Sequence, residues 1–188
     1  MTKLILVAAP SGAGKSSFVE RICRDLPNRL MDVITHTTRG MRKGEVEGHP
    51  YHFVTQDRFE EMIRADDLVE WAKVHNNYYG VSRQVLEHAW KSGRAAIIDI
   101  DVQGVETIKK KFPEIAKTLF ILPPSIDELR RRIEKRDGGK PADLEVRMQN
   151  AEREMAHAPR FDAQIVNDDF ETSYAQFKKI IEEWLGPG

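Results

Sequence analysis

The sequence predicts an α/β fold, a parallel β-sheet core flanked by helices, with an inserted lobe and a lid. Three observations carry this. Short apolar runs at Leu4–Ala8, Ala95–Ile100, Thr118–Leu122 and Gln164–Val166 alternate with helical patterns. The runs are nearly continuous rather than alternating, as expected of strands buried on both faces. The first run leads directly into a glycine-rich turn that opens a helix. On sheets of this kind ligands bind at the carboxyl ends of the strands.

The first strand is followed by Ala9-Pro10-Ser11-Gly12-Ala13-Gly14-Lys15-Ser16-Ser17, and a helix is expected over Lys15–Asp25. Strand, glycine-rich turn and helix start together form the context of a phosphate-binding P-loop. The glycines let backbone N–H groups turn inward around a polyphosphate, and the helix N-terminus adds partial positive charge there. Lys15 is placed to reach the outer phosphates and the Ser16 hydroxyl to face a magnesium ion. Ala9 occupies the first-glycine position of the G-x-x-x-x-G-K-S/T pattern.

Residues 34–81 break the alternation. They are rich in polar, aromatic and charged side chains, carry Gly44, Gly48 and Gly80 as turn points, and read as an inserted lobe with one helix, Asp57–Ala65. Helices Arg83–Lys91 and Val102–Lys111 bracket the second core strand, and Ile126–Lys135 follows the third. Residues 136–147 place Gly138-Gly139 and Pro141 between two helices, a flexible cap suited to excluding water during group transfer. Helices Leu144–His157 and Thr172–Trp184 complete the pattern. The expected division is a core of 1–33, 82–124 and 151–188, a lobe of 34–81 and a lid of 125–150.

Composition narrows the function classes. A chain of 188 residues with 40% hydrophobic content suits one compact unit with a substantial core. A net charge of −1 with 31% charged residues gives no general attraction to nucleic acid or to an anionic membrane, so a phosphate site must be built locally. Cys23 is the single cysteine, so no internal disulfide forms, and the composition suits a reducing, cytoplasmic setting. The first apolar run is too short to span a bilayer and leads into the P-loop rather than a cleavage site. His36, His49, His52, His75, His88 and His157 form no zinc pattern with the cysteine. Lys109-Lys110-Lys111 reads as a solvated helix end.

A second anion site is expected in the lobe. Arg39 and Arg42, three apart, can clamp one phosphate through planar bidentate donors, and a nearby tyrosine hydroxyl adds another. A second phosphate site beside a P-loop suggests an acceptor that is itself a phosphate ester. Asp99 and Asp101, at spacing two, point the same way if the strand continues. Two like charges on one buried face need a cation or hydrogen-bond donors nearby.

The run Thr37-Thr38-Arg39-Gly40-Met41-Arg42-Lys43-Gly44-Glu45-Val46-Glu47-Gly48-His49-Pro50-Tyr51-His52-Phe53 carries a family signature. With it the chain resembles the nucleoside monophosphate kinases, and among them the guanylate kinase family, matching T-T-R-x-x-R-x-G-E-x-x-G-x-x-Y-x-F at every fixed position. Asn77-Tyr78-Tyr79-Gly80, Asp99-Ile100-Asp101-Val102-Gln103-Gly104, Pro123-Pro124-Ser125 and Ile165-Val166-Asn167-Asp168-Asp169 extend the match over essentially the whole chain.

The resemblance implies a P-loop NTPase-type core with a GMP-binding lobe and a lid. It implies ATP-dependent, magnesium-assisted phosphoryl transfer to GMP and dGMP. ATP would lie on residues Ala9 to Ser17, with Arg132 and, near the adenine, Asn167 and Asp168. The acceptor side would comprise Thr35, Arg39, Arg42, Glu45, Tyr51, Glu70, Tyr79, Gly80, Val81, Asp99 and Asp101. Glu70 would read the guanine N1–H and exocyclic amine, and Asp101 would be a second acceptor on the base or its surroundings. Ser16 and Asp99 would organise magnesium. Lys15, Arg42, Arg136 and Arg147 would stabilise the transferring phosphoryl group, the last two from the lid with Arg132. Tyr78 is expected in the core and Tyr79 in the site.

The chain departs from the family pattern in places. Ala9 replaces a glycine and Thr35 a serine. Val81 stands where a threonine or serine usually donates to the guanine carbonyl, which predicts weaker GMP binding. The lid reads Arg136-Asp137-Gly138-Gly139 where an Arg-Gly pair is usual. Two other readings stay open here: a guanylate-kinase-like scaffold domain that binds proteins through the GMP lobe, and a P-loop kinase of another small phosphate ester. The sequence gives no oligomeric state.

Overall fold

A computed structural model describes residues 2–42, 44–74 and 76–187; Lys43 of the signature run and His75 lie outside the described residues. Strand β1 (Leu4–Ala8) is completely buried along its length. It pairs in parallel with β7 (Ala95–Asp99) on one side and β8 (Ala116–Leu122) on the other. Strands β2 (Leu30–Asp32) and β9 (Ala163–Val166) close the edges, giving a five-stranded parallel sheet of order β2-β7-β1-β8-β9. Successive side chains of β1 alternate between two apolar layers. Ile5 and Val7 pack with Phe18 and Ile22 of α1 (Lys15–Asp25), Leu129 and Ile133 of α5 (Ile126–Asp137), and Phe177 and Ile181 of α7 (Phe170–Leu185). Leu4, Leu6 and Ala8 pack with Leu86 of α3 (Arg83–Lys91) and Ile108 of α4 (Val102–Lys111).

The lobe is a second sheet, of order β4-β3-β6-β5. Its frame is the antiparallel pair β5 (Leu68–Val74) and β6 (Asn77–Ser82). The two-residue strand β3 (His36–Thr37) runs antiparallel to β6 and parallel to β4 (His52–Phe53). Helix α2 (Gln56–Arg64), capped by the Thr55 hydroxyl, buries Phe59 and Met62 against Leu68 as a separate small core. Gly80 is required there, because a Cβ would lie 2.8 Å from Phe59 Cζ and 3.0 Å from Leu68 Cδ1. The segment expected as the lid, 125–150, holds α5 and the start of α6 (Leu144–Met155), which runs past it; the two helices are joined by a turn that starts with Gly138 in the left-handed region at φ 74°. No helix among the described residues is long and apolar enough to cross a membrane.

The strand expected over Ala95–Ile100 ends at Asp99. Asp101 therefore does not share a strand face with it. Asp101 is instead the N-cap of α4, its carboxylate accepting from Gly104 N at 2.7 Å. A short carboxylate at a helix start satisfies an otherwise orphaned N–H, and that competes successfully with strand extension. The lysine run is not simply solvated. Lys109 pairs with Asp162 at 2.8 Å, and Lys111 Nζ donates to the Val69 carbonyl at 2.5 Å, tying α4 to the lobe. Strand β2 and the four lobe strands are absent from the sequence reading.

Candidate active site

The carboxyl ends of β1 and β7 open onto a cleft of about 770 Å³ between the core sheet, the lobe and the lid. The turn after β1 is shaped by Gly12 (φ 96°) and Gly14 (φ 91°), both in the left-handed region that suits glycine. Gly14 is also the N-cap of α1 and offers no side-chain cap, whereas Thr55, Ser82, Asp101, Ser125 and Asp169 each cap their helices. The first N–H groups of α1 are thereby left facing the cleft, a ready anion site. Contact on the far side fixes the turn. A Cβ on Gly12 would meet Ile133 Cγ1 at 2.9 Å, and one on Gly14 would meet Asn167 Nδ2 at 2.8 Å.

Lys15 forms an ion pair with Asp99 and donates to the Ile100 carbonyl at 3.1 Å. Burial pulls its pKa down, but the Asp99 charge and hydrogen bond outweigh this and the net shift is upward. The other Asp99 oxygen accepts from Ser16 Oγ at 2.9 Å. The end of β7 thus meets the start of α1 through one carboxylate. In a recess beside it, burial and Asp99 push the Asp32 carboxyl up to about 6.

On the lobe side, Arg39, Arg42, Tyr51 and Tyr79 all line the cleft. Arg39 pairs with Glu45 at 2.8 Å and lies over the Tyr51 ring at 5.3 Å. Glu45 also accepts from Arg42 N at 2.7 Å, so its carboxylate is engaged in shaping the arginine loop. Glu45 itself also lines the cleft. Tyr51 packs edge-to-face on Tyr79 at 5.7 Å, while Tyr78 stacks on Phe59 at 5.3 Å in the lobe core. Burial raises the Tyr51 hydroxyl to about 12, so it stays protonated and can donate.

Deeper in the cleft, Glu70 is only 5% exposed. Its carboxyl carbon lies 3.4 Å from where a Cβ on Gly104 would be, an ordinary contact; the glycine is required instead by Ile100, whose Cδ1 a Cβ would overlap. Burial, then the Asp101 charge, push Glu70 up to about 7, with Lys111 opposing. Val81 is fully buried and belongs to the core layer with Val69 and Leu86, yet it also borders the cleft. Its neighbour Ser82 caps α3, its oxygen accepting from Val85 N.

Most of the expected site residues meet in this one cleft. Ala9, Pro10, Ser11, Gly12, Gly14, Ser17, Thr35, Gly80, Asp101, Arg132, Arg136 and Asn167 line it with those named above. Three do not. Ala13 is fully buried. Asp168 lies at the surface, where its carbonyl accepts from Arg132. Arg147 is held on the lid by Asp137 and Asp143. Asn167 lines the cleft and its amide donates to the Ala13 carbonyl at 2.8 Å. The sequence reading missed Glu154, which lines the cleft from α6. Burial raises its carboxyl to about 7, Lys15 opposing and Asp101 adding to the rise. No local signal separates it from the other acids of an amphipathic helix, since only the docking of α6 brings it beside Lys15.

A model of the guanylate kinase family matches residues 1–184. The chain is 62% identical over 184 residues to a guanylate kinase of Bdellovibrio bacteriovorus, covering 98% of each. It is 45% identical over 178 residues to one from Shewanella sp. (strain MR-7), covering 95% of this chain and 86% of that one. The crystal structure of guanylate kinase from Anaplasma phagocytophilum superposes with a TM-score of 0.77 at 30% identity, over 96% of this chain and 84% of the other. The SH3-kinase fragment of tight junction protein 3 shares the fold alone, at 12% identity and a TM-score of 0.53, over 98% of this chain and 58% of the fragment. Matched by the family model along nearly its full length, and by relatives of this identity, the chain belongs to the guanylate kinase family.

Proposed function

We propose that this chain transfers the terminal phosphoryl group of ATP to GMP, and to dGMP, giving ADP and the diphosphate. The observation that carries the reading is the meeting, in one cleft, of an uncapped helix start bearing Lys15 with a lobe face bearing Arg39, Arg42 and the buried Glu70. ATP phosphates take the N–H groups of the Gly12–Ser17 turn, with the Lys15 ammonium leaving Asp99 for their outer oxygens. The GMP phosphate takes the guanidiniums of Arg39 and Arg42 and the hydroxyls of Tyr51 and Tyr79. Glu70 accepts from the two adjacent donors on the guanine edge. Adenine lacks that donor pair and would leave the carboxylate unpaired, a mismatch that hydrogen-bonding sites reject by about four orders of magnitude.

The oxygens of Ser16 and Asp99, 2.9 Å apart beside the turn, are hard donors of the type magnesium takes. They are the residues that would hold the ion or its water shell. When bound, magnesium neutralises charge between phosphate oxygens. The remaining work is positioning: two anions are brought into line and their charge is offset by Lys15, Arg42 and the lid arginines. No side chain need become phosphorylated.

A coupled assay of ADP formation with GMP, dGMP, AMP or ribose 5-phosphate tests this. GMP and dGMP should support turnover and the other two should not. Absence of GMP-dependent ADP would favour a protein-binding role for the lobe, and turnover with ribose 5-phosphate would overturn the assignment of Glu70.

A further inference from the structure

The two lid helices are joined by two ionic clusters. In one, Arg130 makes a bidentate fork with Glu145, at 2.6 and 2.9 Å. The other lies at the turn and centres on one carboxylate. Asp137 accepts from Arg136 Nε at 2.7 Å, more weakly from Arg136 Nη2 at 3.5 Å, and from Arg147 Nη1 at 2.7 Å. Asp143 takes Arg147 Nε at 2.9 Å. Arg136 lines the cleft; Arg147, on the opposite helix, does not.

Asp137 and Arg147 are partly sheltered, with side chains 24% and 26% exposed, so their pairing is less screened than that of a fully exposed bridge. A guanidinium is rigid and planar, so fixing two of its nitrogens fixes the third. After these bonds, Arg136 Nη1 and Arg147 Nη2 have no protein partner among the described residues. Each arginine therefore keeps one Nη group for a phosphate oxygen. The shared carboxylate also offsets the repulsion between two cations that must converge.

We infer that Asp137 is a positioning residue for phosphoryl transfer: it yokes Arg147 to Arg136 so that both guanidiniums reach the transferring group as a pair. Asp137 is one of the positions where the chain departs from the family pattern. The inference rests on the reading of Arg136 and Arg147 as phosphoryl-facing.

The test is steady-state kinetics on Asp137→Asn, Asp137→Glu, Arg136→Ala, Arg147→Ala and the Asp137→Asn/Arg147→Ala double variant, with melting temperature measured for each. The Asp137→Asn change should lower kcat about tenfold, as expected of a displaced catalytic group. The KM for GMP should stay within about twofold and the melting temperature should be nearly unchanged. Asp137→Glu should recover part of the loss. The double variant should fall below Arg147→Ala by less than the Asp137→Asn factor, because part of what the carboxylate does is to hold Arg147. Asp137→Gly, which suits a helix end, repeats the test should the Asn variant not fold. If both arginine variants lose kcat while Asp137→Asn keeps or exceeds it, the carboxylate competes with phosphate and the inference fails with the underlying reading intact. If the arginine variants keep full kcat, the underlying reading fails first and the inference with it.

Discussion

The side-chain amide of Asn167, just past the last strand, donates to the main-chain carbonyl of Ala13 in the turn after the first strand, at 2.8 Å. The bond is buried, and Asn167 itself is 6% exposed. It holds the outer side of a turn whose inner side lines the cleft. Asn167→Ala leaves a buried carbonyl unpaired, a cost of about 1–3 kcal/mol. The KM for ATP should rise several-fold and the melting temperature should fall, with the KM for GMP little changed. Nucleotide titration and calorimetry check both, and an unchanged ATP affinity would show that the turn holds its shape without this bond.

Lys15 is the cation of the turn, held by Asp99 and the Ile100 carbonyl. Lys15→Met removes the charge and keeps most of the volume. We expect kcat to fall by about a hundredfold or more, on the scale of losing a preorganised electrostatic donor, with a smaller change in KM for GMP. Single-turnover quench measurements separate the chemical step from product release.

Glu70 carries the pH dependence. Burial raises its carboxyl from the usual 4.5 to about 7, and in the role proposed for it the group accepts from both guanine donors only when ionised. GMP binding should therefore release a proton near neutral pH. The KM for GMP should rise as pH falls below about 7, approaching tenfold per unit. Stability runs the other way. A carboxyl whose folded pKa lies above its unfolded value contributes most at low pH. The contributions of Glu70 and Glu154 should fade as pH rises from 4.5 to about 7. Binding calorimetry in two buffers of different ionisation enthalpy counts the proton. Glu70→Gln should abolish its release.

Val81 has no side-chain donor to offer a guanine carbonyl. Val81→Thr supplies a donor of nearly the same shape. The KM for GMP should drop by several-fold, about 0.5–1.5 kcal/mol of binding. Val81 is also wholly buried in an apolar layer, so the hydroxyl should lower the melting temperature of the ligand-free protein. An unchanged KM would mean that another group already satisfies that carbonyl.

The apolar runs of β1, β7, β8 and β9 and the glycine-rich turn were legible because each is local. Continuous burial, helix periodicity and left-handed glycines are written in neighbouring residues. The lobe strands were not, because β3 and β4 are two residues each and exist only through pairing, β4 with β3 and β3 with β6. Whether Asp101 continues the strand is conditional in the sequence for a related reason. Strand and helix cap compete at that point, and the 2.7 Å bond to Gly104 N decides for the cap.

The sequence by itself determined the phosphate-binding turn, the arginine loop and the kind of sheet that presents them, since these depend on residue type at short spacing. Tertiary structure alone decided that Glu154 of α6 joins the cleft beside Lys15, that Asn167 braces the turn, and that one carboxylate, Asp137, bridges Arg136 and Arg147. The Glu154, Asn167 and Asp137–Arg147 contacts each join groups far apart along the chain or on separate elements. Their energies arise only once packing has removed the intervening water and fixed the distances, which no stretch of neighbouring residues encodes.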